Sequence, residues 1–235
     1  MRDDGTGPAA RVLLDAVDDR GRTPLDWVAG PLPAGARVLD LRCGDGSRAG
    51  RLGTGRWIGV DPTATDGPEG LLRASPAALP LRRNAVDAVT LVLAVPLLRD
   101  VDAVFAEIRR VLRPAGTLVA LVPSASTRSL ADLRLRRVLA PVRRGAWPNR
   151  SALDHLSWIL MSADFAVMAD ERVRFHLPLP DPAAAHRLVA DLPAAGVWPP
   201  GLDADDRAAL FDGLADLAGP DRVLPVPMRR VIARR

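Results

Sequence analysis

At 235 residues, 48% hydrophobic and 26% charged, the chain has the length and composition of one packed globular domain, or one domain with an elaborated end, which excludes a disordered polymer. All 32 basic residues are Arg against 28 acidic ones, for a formal net charge of +4. With no Lys, Gln or Tyr, the bias reads as a GC-rich codon preference. Little titrates between neutrality and the guanidinium range, so a basic isoelectric point carries no argument for nucleic acid.

The single Cys43 excludes an intrachain disulfide and a Cys-built zinc cage. The start MRDDGTGPAA has no apolar signal core, and no apolar run approaches about 18 residues, so a soluble cytoplasmic protein without a membrane partner is expected. Along the chain, residues 9–19 place apolar groups on one helical face. Thr23-Pro24-Leu25-Asp26-Trp27-Val28 predicts a second short helix, with Thr23 as N-cap and Pro24 in the first turn. Pro31, Pro33 and Gly35 then break the chain.

The most informative stretch runs from Ala36 to Asp61. It predicts a buried strand (Arg37–Leu41), a Gly-rich turn (Arg42–Ser47), a short helix and a second strand ending in an acid (Trp57–Asp61). A carboxylate at the tip of the second strand of a βαβ unit can accept both hydroxyls of a ribose. Gly44 and Gly46 let a ligand approach the backbone. Leu71–Ala74 is a further short strand, and the near-continuous apolar run Ala85–Val95 predicts a parallel strand covered on both faces. Asp102–Val111 is an amphipathic helix, Arg113–Gly116 a turn and Thr117–Val122 another buried strand. Alternating strands and helices predict an α/β fold with an open, doubly wound sheet.

Residues 128–144 are Arg-rich at helical spacing and read as a solvated helix face. Ser151–Met161 predicts a helix, Phe165–Leu177 a sixth strand, residues 183–218 helices interrupted by Pro193, Pro199 and Pro200, and Val226–Ala233 a final strand. No HxH or HExxH spacing is present, so no metal site is expected. Ser124 and Ser126 lack any Ser-His-Asp order, and Trp147, Trp158 and Trp198 read as packing before they read as a pocket.

Val38-Leu39-Asp40-Leu41-Arg42-Cys43-Gly44-Asp45-Gly46, Gly59-Val60-Asp61, Asp87–Leu91 and Glu107–Leu118 follow one another in the order of the motifs of the class I S-adenosylmethionine-dependent methyltransferases, which the chain resembles over roughly residues 25–125. The resemblance implies a seven-stranded, mostly parallel sheet with an antiparallel edge strand, and S-adenosylmethionine as cofactor. It divides one domain, residues 1–235, into N-terminal helices (1–30), a cofactor-binding core (36–125) and a lid-like helical insertion (183–218) between the last two strands.

It further implies that Asp40 and the Gly44-Asp45-Gly46 backbone border the methionine portion, that Asp61 binds the ribose and that Pro62 flanks the adenine. Leu91 joins them at the end of the fourth strand. Three departures stand out. Arg42 replaces a Gly, bringing a Cβ and a guanidinium that fills the methionine slot, pairs with Asp40 or Asp61, or points to solvent. Ser75 and Pro76 stand where relatives place an acid and a backbone N–H against the adenine. Leu93-Ala94-Val95-Pro96 carries none of the polar groups found after strand four.

His155 is the candidate general base, against ordinary packing or surface placement. The reading is methylation of a small molecule. A non-catalytic binding or partner protein of the same fold is the alternative, and a nucleic-acid methyltransferase using residues 128–144 is a more distant third.

Overall fold

The computed structural model describes residues 8–52, 55–124 and 133–235. The first seven residues, Ser126 and the start of the Arg-rich segment at Arg128 lie outside it. In chain order the elements are α1 (Pro8–Asp15), α2 (Pro24–Ala29), β1 (Val38–Leu41), β2 (Trp57–Asp61), β3 (Leu71–Arg73), β4 (Val86–Val92), α3 (Val101–Val111) and β5 (Leu112–Pro123). They continue with α4 (Leu133–Val138), α5 (Ala140–Arg144), α6 (Ser151–Ser162), β6 (Ala166–Pro178), α7 (Pro182–Ala194), α8 (Ala204–Ala215) and β7 (Val223–Arg234).

The strands form one seven-stranded sheet in the order β3-β2-β1-β4-β5-β7-β6. The pairs from β3 to β5 are parallel, and β7 runs antiparallel to both β5 and β6. The antiparallel strand is therefore one in from the edge. The chain reverses between β1 and β4, where the order switches direction and an open α/β sheet leaves a crevice.

Every residue of β1 and β4 is buried, as continuous apolar runs require when helices cover both faces. On one face Leu13, Leu25, Trp27, Leu188 and Leu192 pack with Val119, Leu121 and Met228. On the other, Phe105, Ile108, Leu156 and Leu160 pack with Leu39, Leu41, Leu91 and Val122. Thr23 caps α2 through a reciprocal pair with Asp26.

The expected helix after the Gly-rich turn is only a 3₁₀ turn, Ala49–Arg51. Gly50, Gly53 and Gly55 lower helix propensity there. The expected turn at Arg113–Gly116 lies inside β5, where a pairing irregularity opposite Val86–Ala88 and a positive φ of 58° at Ala115 bend the strand.

α4 and α5 carry Arg134, Arg136, Arg137, Arg143 and Arg144 on exposed positions, in keeping with a solvated face. Among the described residues, no helix is long and apolar enough to cross a membrane.

Candidate functional site

The site grows from the tip of β1. Arg42 adopts φ +54°, the left-handed region that a β-carbon disfavours by about 1–2 kcal/mol. Its backbone is held from both sides. Its N–H donates to the Val60 carbonyl at 2.7 Å, and its carbonyl accepts from Arg48 Nη2 at 3.0 Å. Its guanidinium has no hydrogen bond or ion pair to any described residue, so it pairs with neither Asp40 nor Asp61.

The partner of Asp40 is Arg48 instead, a residue the motif reading missed. Arg48 is 5% exposed and Asp40 fully buried. Nε donates to Asp40 Oδ2 at 2.7 Å and Nη2 to Oδ1 at 3.4 Å, while Thr90 Oγ1 donates to Oδ1 at 2.9 Å. β1 and β4 pair with Asp40 opposite Thr90, which puts that hydroxyl in reach. Burial by itself opposes the Arg48 charge. The Asp40 carboxylate more than offsets it, and the Arg48 pKa is raised.

Asp61, at the tip of β2, is also buried. Its Oδ2 accepts the Gly44 N–H at 3.0 Å. Its Oδ1 accepts the N–H and hydroxyl of Thr63 at 2.8 and 2.6 Å. One acceptor direction on Oδ2 stays open to a ligand hydroxyl, rather than two oxygens. Asp45 turns back on Ser47, accepting its N–H and hydroxyl on Oδ1. Burial works against the Asp45 charge, but these bonds and Arg48 hold its pKa below the ordinary value.

These groups border a cavity of about 280 Å³. The Gly-rich turn supplies Arg42, Cys43, Gly44, Asp45, Ser47 and Arg48, and β2 supplies Asp61 and Thr63. The opposite wall is apolar: Val92, Leu93, Ala94 and Leu97 after β4, with Ala194 and Ala195 at the end of α7. A Cβ at Gly44 would meet no atom within 4 Å, so a ligand has room above that backbone. Gly196 has the opposite reason to be glycine. A Cβ there would lie 2.8 Å from the Leu93 carbonyl, and this close approach seats the end of α7 against the cavity wall. Leu93, like Arg42, has a positive φ, so both strained non-glycine residues of the cavity wall sit at strand ends.

Of the residues expected to hold the cofactor, the structure brings Arg42, Gly44, Asp45 and Asp61 together around this cavity. Asp40 stands behind Arg48. Gly46 is buried under Pro68, whose Cγ would lie 2.9 Å from a Cβ there. Leu91 is wholly buried in the core beneath. Pro62, Ser75 and Pro76 are not among the lining residues; Ser75 is exposed and its Oγ accepts the Ala77 N–H at 3.2 Å. His155 is exposed at a non-helical kink in α6 and does not line the cavity. Among the described residues, no group of three or more His, Cys, Asp or Glu could hold a metal ion.

The Cys43 thiol is pushed up to about 12, first by burial and then by the Asp40 charge. A thiol so placed is protonated at neutral pH and is no nucleophile. At about pH 8, where a free thiol reacts readily, iodoacetamide is expected to leave Cys43 intact in the folded protein and to alkylate it in urea. Rapid labelling of the folded protein, followed by mass, would contradict this burial.

Residues 39–120 match the family model described as "Methyltransferase domain". Over those residues the chain is similar to a methyltransferase domain, and its seven-stranded sheet is the Rossmann-like methyltransferase fold. That family uses S-adenosylmethionine as its cofactor. Among solved structures, a putative type II methyltransferase from Anaeromyxobacter dehalogenans superposes with a TM-score of 0.58 at 21% identity, covering 93% of this chain and 96% of that one. A putative methyltransferase from Bacillus halodurans gives 0.54 at 16% identity, covering 89% and 96%. The [4+2]-cyclase SpnF gives 0.55 at 18% identity, covering 90% and 79%. At these identities the likeness is one of fold. No curated protein sequence matches the chain.

The two ends of the cavity differ in their fit to the family's cofactor. The nucleoside end fits: Asp61 keeps an open acceptor and Gly44 leaves space. The amino-acid end does not. The Asp40 carboxylate, expected there to border the methionine portion, is closed off by Arg48 and Thr90, and Arg42 stands in the cavity lining where the motif has a Gly.

Proposed function

We propose that the cavity binds S-adenosylmethionine by its adenosine portion and that the protein transfers the methyl group to a small molecule. The observation that carries this reading is Asp61. Its carboxylate is held at the tip of β2 by the Gly44 N–H, which aims an acceptor at the cavity next to the open side of Gly44. When bound, the cofactor supplies an activated methyl carbon, and the protein's part is to hold and align. The apolar wall of Val92, Leu93, Ala94, Ala194 and Ala195 favours a small, largely apolar acceptor over a polymer. Residues 183–218 act as the lid in this reading, since Ala194 and Ala195 share the cavity with Asp61. A cytoplasmic location goes with it.

A second reading is favoured by the buried Asp40–Arg48 pair. With the amino-acid end filled by protein charge, the fold serves as a non-catalytic binding or partner protein, since a fold does not fix a reaction. Calorimetric titration with S-adenosylmethionine and S-adenosylhomocysteine separates the two. Saturable binding is expected, and Asp61→Ala, with its fold verified by circular dichroism, should weaken it by about 10- to 100-fold, the worth of a hydrogen bond to a charged group. No binding of either compound by the unaltered protein rejects the methyltransferase reading. Unchanged affinity in Asp61→Ala removes Asp61 from the site.

A further inference from the structure

We propose that the Thr63 hydroxyl competes with the ribose for Asp61, so that the site reads one ribose hydroxyl and accepts nucleosides that lack the other. The inference rests on the reading that Asp61 takes the nucleoside.

An ionised carboxylate offers about four acceptor directions, two on each oxygen. On Asp61 most of them are taken from within the chain. Oδ2 accepts the Gly44 N–H at 3.0 Å, while Oδ1 accepts both the Thr63 N–H at 2.8 Å and the Thr63 hydroxyl at 2.6 Å. Oδ1 is therefore full, and Oδ2 keeps a single direction. A ribose brings two adjacent hydroxyls, and one of them finds no acceptor.

The competitor is built into the turn after β2. In Asp61-Pro62-Thr63 the carboxylate accepts the N–H two residues on, and the Pro62 ring fixes φ at the residue between. The Ala64 N–H closes the turn on the Asp61 carbonyl at 3.3 Å. Thr63 is thus delivered onto the carboxylate by its own chain. Its short hydroxyl bond to a charged acceptor is of the strong kind, so an incoming hydroxyl does not displace it cheaply. Thr63 is exposed and lines the cavity with Asp61 and Gly44, so the competition takes place at the cavity wall. Thr63→Val keeps the branched shape and the N–H bond, and frees one direction on Oδ1.

Calorimetry of the whole chain with S-adenosylhomocysteine and its 2′-deoxy and 3′-deoxy analogues tests this. In the unaltered protein one analogue should bind about tenfold or more weakly than the parent, and the other within about twofold of it. In Thr63→Val both analogues should be weakened by about tenfold or more, whereas Thr63→Ser, which keeps a hydroxyl, should behave as the unaltered protein. Equal weakening of both analogues in the unaltered protein, or an unchanged pattern in Thr63→Val, overturns the role of Thr63 and leaves Asp61 as the ribose acceptor. Two analogues as tight as the parent remove Asp61 from the ribose, and the inference with it. Failure of S-adenosylhomocysteine itself to bind removes the nucleoside reading as well.

Discussion

Arg48→Met is expected to destabilise the protein by about 3–5 kcal/mol, the cost of breaking a buried ion pair by removing one member. Asp40 is fully buried under the Gly-rich turn, and Arg48 supplies both charge and donors to it. Without the guanidinium, only Thr90 would remain as a donor to that carboxylate, and the carbonyl of Arg42 would lose its bond as well. The loss should appear in urea unfolding as a lower midpoint with little change in slope. The double variant Asp40→Leu/Arg48→Met should recover most of it, because removing both charges leaves no uncompensated group. Unchanged stability in the single variant would mean that Asp40 reaches water when Arg48 is gone. The same comparison bears on function: if the pair occupies the amino-acid end of the site, a folded double variant should admit S-adenosylmethionine more readily than the unaltered protein.

The second large effect is expected far from the cavity. Arg229 of β7 is 4% exposed and ties three elements together. Its Nε donates to Asp170 Oδ1 of β6 at 2.8 Å, and its Nη1 donates to the Asp154 and Leu153 carbonyls of α6 at 2.8 and 3.3 Å. The carbonyls lie next to His155, whose φ of −116° kinks α6. Arg229→Met should cost about 3 kcal/mol, the lower end for a buried pair because Asp170 is itself 28% exposed.

The hydrogen bond from Arg229 is the largest influence on the Asp170 carboxyl, which is held down at about 2 against an ordinary 3.8. A carboxyl whose folded pKa lies below its unfolded one adds stability that is complete above the unfolded value and lost as pH falls through the folded one. Between about pH 4 and pH 2 the unaltered protein should therefore lose about 2 kcal/mol from this group, and Asp170→Asn should flatten that part of the curve. Parallel slopes for the two proteins in acid urea titrations would show that other carboxylates carry the acid sensitivity.

The framework of this protein is local information. Continuous apolar runs mark β1 and β4 because a strand covered on both faces has no position left for a polar side chain, and both are buried throughout. Thr23-Pro24 with Asp26 marks the start of α2 because capping is a contact within one turn. Asp61 at the end of β2 and glycine at position 44 follow from strand and turn chemistry alone. The motif also singles out Arg42 as a residue out of place, and its φ of +54° is the physical form of that misfit.

What the linear pattern could not supply are the pairings. Arg48 reads as one more Arg in a chain whose basic residues are all Arg. Only the collapse of the expected helix to a 3₁₀ turn, with β1 beside β4, brings it onto Asp40 rather than into water. Arg229 likewise reads as a strand residue until the β6–β7 pairing and the kink of α6 converge on it. His155 looks like a base from its helix and is turned to solvent instead. Ala194 and Ala195 are unremarkable until Gly196 lets α7 end against Leu93 and makes them a cavity wall. Periodicity, capping and turn residues act over a few positions, so most of the elements, their order and the acid at the tip of β2 are legible along the chain, whereas the 3₁₀ turn after the Gly-rich loop and the strand running through Arg113–Gly116 are not. Charge neutralisation and cavity shape depend on groups far apart in the chain, and it took the folded sheet to set Arg48, rather than Arg42, against the Asp40 carboxylate.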